Sequence, residues 1–289
     1  MMTRRALLKS IPGALGAAAA AGNLWRGQDY VIGSANIKLG VASYSFRKFT
    51  RAQAIQMMLK LGTPYLNVKD FHLPLDSTPG QIDQAVKEFH DAGIILVGCG
   101  NITFDKADQA DIRHKFDYAK RAGFPLIVCA PTHETLPMLE PFVEEYNIKI
   151  AIHNHGPEDK NFPTPQSVLA AVKGMDPRIG CCIDVGHTAR TGVDVVAAIA
   201  EAGPRLLDMH LKDLADPHNP DWKVGRDSQV AVGEGKLPIK GIFAQLIKMG
   251  YNGCANLEYE IHPDDPLPGM EKSFAYERKV MAELKNTTA

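Results

Sequence analysis

The chain has 289 residues, 45% of them hydrophobic and 22% charged, and a formal net charge of −1. These proportions suit a soluble globular chain with room for one large domain or two small ones. With 32 basic residues against 33 acidic ones and no long basic run, a nucleic-acid-binding footprint is excluded at this level.

The first segment, "MMTRRALLKS", carries the adjacent Arg4 and Arg5 and is followed by "IPGALGAAAAAG". A basic start, a mildly apolar stretch and small residues have the layout of a secretory signal, and "TRRALLK" resembles the bacterial twin-arginine export motif. We therefore predict an export signal and short linker over residues 1–28, and a periplasmic mature protein. A frayed N-terminal helix is the plainer alternative. The apolar run is too short and too rich in alanine for a good membrane span, so no stable membrane insertion is expected once the signal is removed. Removal takes away Arg4, Arg5, Lys9 and Arg26 and no acidic residue, leaving 28 basic against 33 acidic side chains. The five cysteines are odd in number, show no CxxC pairing and sit in or beside apolar runs, which predicts buried, inert thiols.

Eight short runs rich in Val, Ile and Leu follow in order: "KLGVASYSF", "PYLNVKDF", "GIILVGCG", "FPLIVCAP", "IKIAIHNHG", "IGCCIDVGH", "RLLDMHLKD" and "GCANLEYE". Between them lie segments with helical spacing, such as "TRAQAIQMMLKLG", "TPGQIDQAVKEFHDAG" and "IKGIFAQLIKMGY". Two of these close on glycine, as helix ends commonly do. Strand–helix units repeated eight times predict an α/β fold, a (β/α)8 TIM barrel in a single domain over residues 37–285. A doubly wound open sheet is the main rival, but no GxGxxG follows the first strand. One long polar connection, "KDLADPHNPDWKVGRDSQVAVGEGKLP", has the character of a functional loop.

Chemistry in such a barrel sits at the C-terminal ends of the strands. There the sequence places Asp70 and His72 (second run), His153 and His155 (fifth), Asp184 and His187 (sixth), His210, Lys212 and Asp213 (seventh), and Glu258 and Glu260 (eighth). In "IAIHNHG", His153 and His155 are two apart, so both point to the same side of a strand. Asp184, His210 and Glu258 form a mixed carboxylate–imidazole set suited to one divalent ion: Mn²⁺, Co²⁺, Zn²⁺ or Mg²⁺. The fifth strand should supply a fourth ligand, His153 being the first candidate and Glu158 its competitor. Any one of these alone could be a hydrogen-bonded strand-end side chain; several converging on one mouth point to a site.

"CIDVGH", "DMHLKD", "VGEGKLPIKGIFAQLIKMGYNGCANLEYE" and "IAIHNHG" resemble the sugar phosphate isomerase/epimerase family, the xylose isomerase-like TIM barrels. The resemblance implies that Asp184, His210 and Glu258 bind a divalent metal and that His187 faces the substrate or a second metal. It departs from the family's ketose epimerases and apurinic endonucleases at the fifth strand, where their Glu is replaced by His153. The "HNH" form, with Glu158 as the matching acid, is similar to the branch containing inosose dehydratases and 3-keto-glycoside-cleaving enzymes.

The chemistry implied is proton abstraction next to a carbonyl, through an enediolate that a divalent ion stabilises. We assign His155 as the base, Glu158 as a supporting acid, and His72, His187, Lys212 and Glu260 as contacts to a small sugar or keto-sugar. The expected activity is that of a sugar isomerase or epimerase, with a lyase or dehydratase acting on a keto-sugar or 3-keto-glycoside as the alternative. A metal-dependent nuclease would want a basic face. A periplasmic carbohydrate-binding protein would line its pocket with aromatics, which make up only 7% of the chain. Oligomerisation is left open.

Overall fold

Each of the eight apolar runs forms a strand. The computed structural model describes residues 29–288, so the export signal predicted for residues 1–28 lies outside the described part. Strands β1 (Asp29–Ile32) and β2 (Ala35–Ala42) form an antiparallel hairpin. Then come β3 (Tyr65–Val68), β4 (Ile95–Phe104), β5 (Leu126–Pro131), β6 (Lys149–His153), β7 (Ile179–Asp184) and β8 (Leu206–Leu211). A two-residue ribbon, β9 (Asp213–Leu214) with β10 (Gln229–Val230), precedes β11 (Asn252–Leu257). Strands β2 to β8 and β11 are all parallel and close into one barrel, with β11 and β3 on either side of β2.

Helices fill the connections. They are α1 (Arg51–Leu61), α2 (Pro79–Asp91), α3 (Gln109–Ala122), α4 (Leu136–Tyr146) and α5 (Pro165–Ala171). After these come α6 (Val185–Arg190), α7 (Val195–Ala202), α8 (Trp222–Arg226), α9 (Ile239–Lys248) and α10 (Leu267–Thr288). The predicted helical segments have the chemistry that starts and stops helices. Thr50 and Thr78 each accept from the backbone of a Gln three residues on, whose side chain answers the Thr backbone. Helix α1 stops at Gly62, which takes the left-handed conformation (φ 68°). Helix α2 ends on Ala92, with the expected glycine one residue later.

The apolar residues divide into two cores. The larger packs between strands and helices; the smaller, Leu126, Val128, Ala151 and Cys182, fills the barrel lumen. All five cysteines are buried and free, as their surroundings predicted. On the β3, β8 and β11 side of the lumen, level with this core, the barrel interior is polar. The Asp208 carboxylate accepts from the Asn256 amide (2.8 Å) and, at 3.5 Å, from that of Asn67. Burial raises the Asp208 carboxyl to a pKa of about 7, with His210 and the amide bonds pulling the other way. Gly40 leaves room for this layer, because a Cβ there would stand 2.3 Å from Asn256 Oδ1. The mouth of the barrel lies directly above.

Candidate functional site

Four strands deliver one polar group each to a single point. His153 ends β6, Asp184 ends β7, His210 lies on β8, and Glu258 follows β11. The register aligns Asp184 with His210 and places Asn256 beside His210, so Glu258 continues that strand into the mouth. One possible ligand atom from each of the four side chains lies within 4.8 Å of all the others. His153 Nε2 is 3.0 Å from His210 Nδ1 and 3.6 Å from Asp184 Oδ2, while His210 Nδ1 is 3.3 Å from Glu258 Oε2. Asp184 Oδ2 is buried and, apart from its ion pair with Lys212, has no hydrogen-bond partner among the described residues. Two imidazole nitrogens and two carboxylates facing inward at this spacing fit a divalent ion of borderline hardness.

Lys212 supplies positive charge at the same point. Its Nζ lies 2.9 Å from both Asp184 Oδ2 and Glu258 Oε2 and also contacts the Glu260 carboxylate. Burial opposes the charges here, yet His187 and Lys212 hold the Asp184 carboxyl well below the usual range, and His210 and Lys212 do the same for Glu258. His153 is the opposite case: burial lowers its pKa to about 4, so its imidazole is neutral and able to act as a ligand.

His155 shares the side of His153 but not its depth. The His153 ring is buried, whereas His155 is exposed above it, the ring centroids 5.1 Å apart. His155 also meets His187 edge-on at 4.5 Å. The Nδ1 of His187 contacts an Arg190 guanidinium nitrogen. A guanidinium only donates, so Nδ1 accepts and the His187 proton rests on Nε2. Burial first, and the nearby Lys212 and histidines next, keep His187 far below the ordinary histidine pKa, although Asp184 works against them.

Glu158 is engaged elsewhere. Arg190, whose side chain is 1% exposed, grips its carboxylate with two bonds of 2.7 and 2.9 Å. This fork fastens the loop after β6 to helix α6. Arg190 was not singled out by strand-end reasoning; its signal was helical spacing in "DVGHTAR", three residues after His187 and six after Asp184.

The remaining assigned residues separate. Glu260 bonds Lys212, and its backbone carbonyl accepts from Arg47 at 2.6 Å. His72 is 1% exposed, with Nδ1 3.0 Å from Ser43 Oγ, and burial lowers its pKa to about 4. It is held in the wall behind the mouth rather than brought to the four-residue cluster. Asp213, another strand-end acid, is part of the loop architecture. Its two oxygens accept from the backbone N–H groups of Leu214, Leu237, Gly233 and Gly235 at 2.9–3.0 Å. A cavity of about 290 Å³ opens beside the cluster, lined by His187, Arg190, Lys212, Arg226, Gln229 and Glu260 among others. The lining is polar and carries both signs of charge, which suits a hydroxyl-rich molecule.

Residues 45–281 match the family described as xylose isomerase-like TIM barrel. A curated relative, the rhizopine catabolism protein MocC of Rhizobium meliloti, is 25% identical over 136 residues, 43% of this chain. The matched segment spans only 40% of that relative's length. Three solved structures share the fold. The IolI protein with a bound zinc atom is 16% identical, with a TM-score of 0.68 over 87% of this chain and 99% of that one. L-ribulose 3-epimerase is 14% identical, with a TM-score of 0.67 over 86% and 96%. The probable 3-DHS dehydratase AsbF of Bacillus anthracis is 13% identical, with a TM-score of 0.66 over 82% and 97%.

Proposed function

Because the chain belongs to the xylose isomerase-like TIM barrel family, we propose that it is a divalent-metal-dependent sugar isomerase or epimerase that removes a proton next to a carbonyl. The convergence of His153, Asp184, His210 and Glu258 carries this reading. These four would hold the ion, and the structural likeness to a zinc-bound protein and to an L-ribulose 3-epimerase supports the assignment. When bound, the ion would supply Lewis-acid stabilisation of the negative charge that develops on the substrate oxygen.

The protein's own side chains would do the rest. His155 is the base we favour, because it is the exposed imidazole at the mouth and stands directly above the cluster. Glu158 stays the competitor, but its fork with Arg190 suits it better to supporting the loop that carries His155. Lys212, His187 and Glu260 line the cavity and are assigned to substrate hydroxyls. His72 would act through the wall that it stiffens. Elimination from a keto-sugar begins with the same proton abstraction, and the likeness to a dehydratase keeps it as the second reading. We also propose that the mature protein is periplasmic, on the strength of "TRRALLKS".

The test combines metal analysis with proton exchange, using sugars and keto-sugars in D₂O with added Mn²⁺ followed by NMR. His153→Ala should lose bound metal. His155→Ala should keep metal and lose about 10²- to 10⁴-fold in exchange rate. Wild-type exchange rates in His155→Ala, combined with loss in Glu158→Ala, would transfer the base role to the carboxylate. A retained carbon skeleton with all its hydroxyls marks isomerisation, and loss of water or a leaving group marks elimination.

A further inference from the structure

Lys69 follows β3 directly and belongs to none of the roles above. Strand alternation puts it on the same side as Asn67, whose amide faces Asp208 across the lumen, and one tier higher. That tier is the level of the cluster. His153, Asp184, His210 and Glu258 each stand two residues beyond a lumen-facing residue, namely Ala151, Cys182, Asp208 and Asn256. Lys69 Nζ donates to the carbonyl of Asn101, within the irregular stretch of β4, at 2.8 Å.

Its bonding differs from that of the other cations nearby. Lys212 touches three carboxylates and Arg190 a fourth. Lys69 makes no ion pair among the described residues, although its pKa lies below that of an ordinary lysine because of burial, against the pull of Asp70, Glu258 and Cys99. An ammonium has three N–H donors, and one is used. A partly buried ammonium with no carboxylate in contact is only partly compensated, and a negative oxygen brought to its unused N–H groups would stabilise it.

We propose that Lys69 is a further substrate-contacting residue, whose ammonium donates hydrogen bonds to an oxygen on which negative charge builds as His155 removes the neighbouring proton. The proposal rests on the proton-abstraction reading. It places a fixed positive charge on the β3–β4 side of the mouth, a donor aimed where charge develops rather than where it already exists.

The test starts from a sugar or keto-sugar that exchanges its proton in D₂O with the Mn²⁺-loaded wild type. K69A should exchange about 10²- to 10³-fold more slowly, the usual cost of one such donor. Its metal content and thermal midpoint should match wild type, and added ethylammonium chloride should restore part of the rate. K69A exchanging as fast as wild type, or a slow K69A that ethylammonium leaves unchanged, overturns the proposal. Should K69A lose its fold or its metal, wild type decides the matter. After reductive methylation with ¹³C-formaldehyde, the lysine resonance missing from K69R must shift when the exchanging sugar is added, and an unmoved resonance overturns the proposal. If no sugar exchanges with wild type at all, the proton-abstraction reading fails first and takes this one with it.

Discussion

Glu277 sits on α10 fully buried, with neither carboxylate oxygen hydrogen-bonded among the described residues. Burial pushes its pKa up to about 8, only partly offset by Arg278. A carboxyl whose folded pKa exceeds its unfolded value binds its proton more tightly when folded. Its contribution is therefore fully present below the unfolded value, near 4.5, and is lost as pH rises towards 8. Wild type should lose thermal stability between pH 5 and pH 8, and Glu277→Gln should remove most of that loss. The two proteins should melt together at pH 5, with the variant several degrees higher at pH 8. Equal slopes of midpoint against pH would remove Glu277 as the cause. The two histidines of "IAIHNHG" show how far single residues could be read in advance. A period of two put them on one side, and they are there. Depth was not legible, since burial of His153 depends on the strands either side of β6, and exposure of His155 on the loop beyond it.

The long connection between β8 and α9 looked like a polar loop in the sequence, and it is instead an ordered element organised by one carboxylate. Asp213 gathers four backbone N–H groups, and Gly235 must lack a Cβ because one would stand 2.2 Å from Asp213 Oδ1. Its place at a strand end suggested a site residue; only the returning chain reveals a staple. Asp213→Ala leaves those donors without their acceptor, so it should cost about 3 kcal/mol in urea unfolding. Amide exchange at Gly233, Gly235 and Leu237 should accelerate more than exchange in α1. Unchanged protection there would mean that the loop holds itself. The helices were more transparent, because Thr50, Thr78 and Gly62 act within one turn of their own positions.

At the scale of the whole molecule, the barrel mouth gathers two carboxylates and two imidazoles that only closure can bring together. An ion held there binds the folded chain and not the unfolded one, which stabilises by roughly 4 kcal/mol at a thousandfold excess over its dissociation constant. Adding Mn²⁺ or Zn²⁺ to chelator-treated protein should raise the thermal midpoint, and the same addition to Asp184→Ala should not. An equal rise in both would place the ion elsewhere. Export is tested on the full chain: replacing Arg4 and Arg5 by Lys should leave unprocessed precursor in the cytoplasm. Processing of that variant through the twin-arginine route would sink the assignment.

The barrel itself was determined by the sequence alone. Apolar runs of strand length alternating with amphipathic, capped helices leave few other ways to bury both sets of residues, and eight units close a ring. The convergence of four side chains was legible for a related reason: strand ends in a parallel barrel all open on one face, so His153, Asp184, His210 and Glu258 could be gathered from their places in the sequence. Tertiary structure alone decided how the polar residues share the work. Arg190 claims Glu158, Lys212 bridges Asp184 and Glu258, and Asp213 turns to its own loop. Lys69 reaches the tier of the cluster with its ammonium on the Asn101 carbonyl and in no ion pair among the described residues. These are choices between partners far apart in the chain, set by distances of a few ångströms that no periodicity encodes.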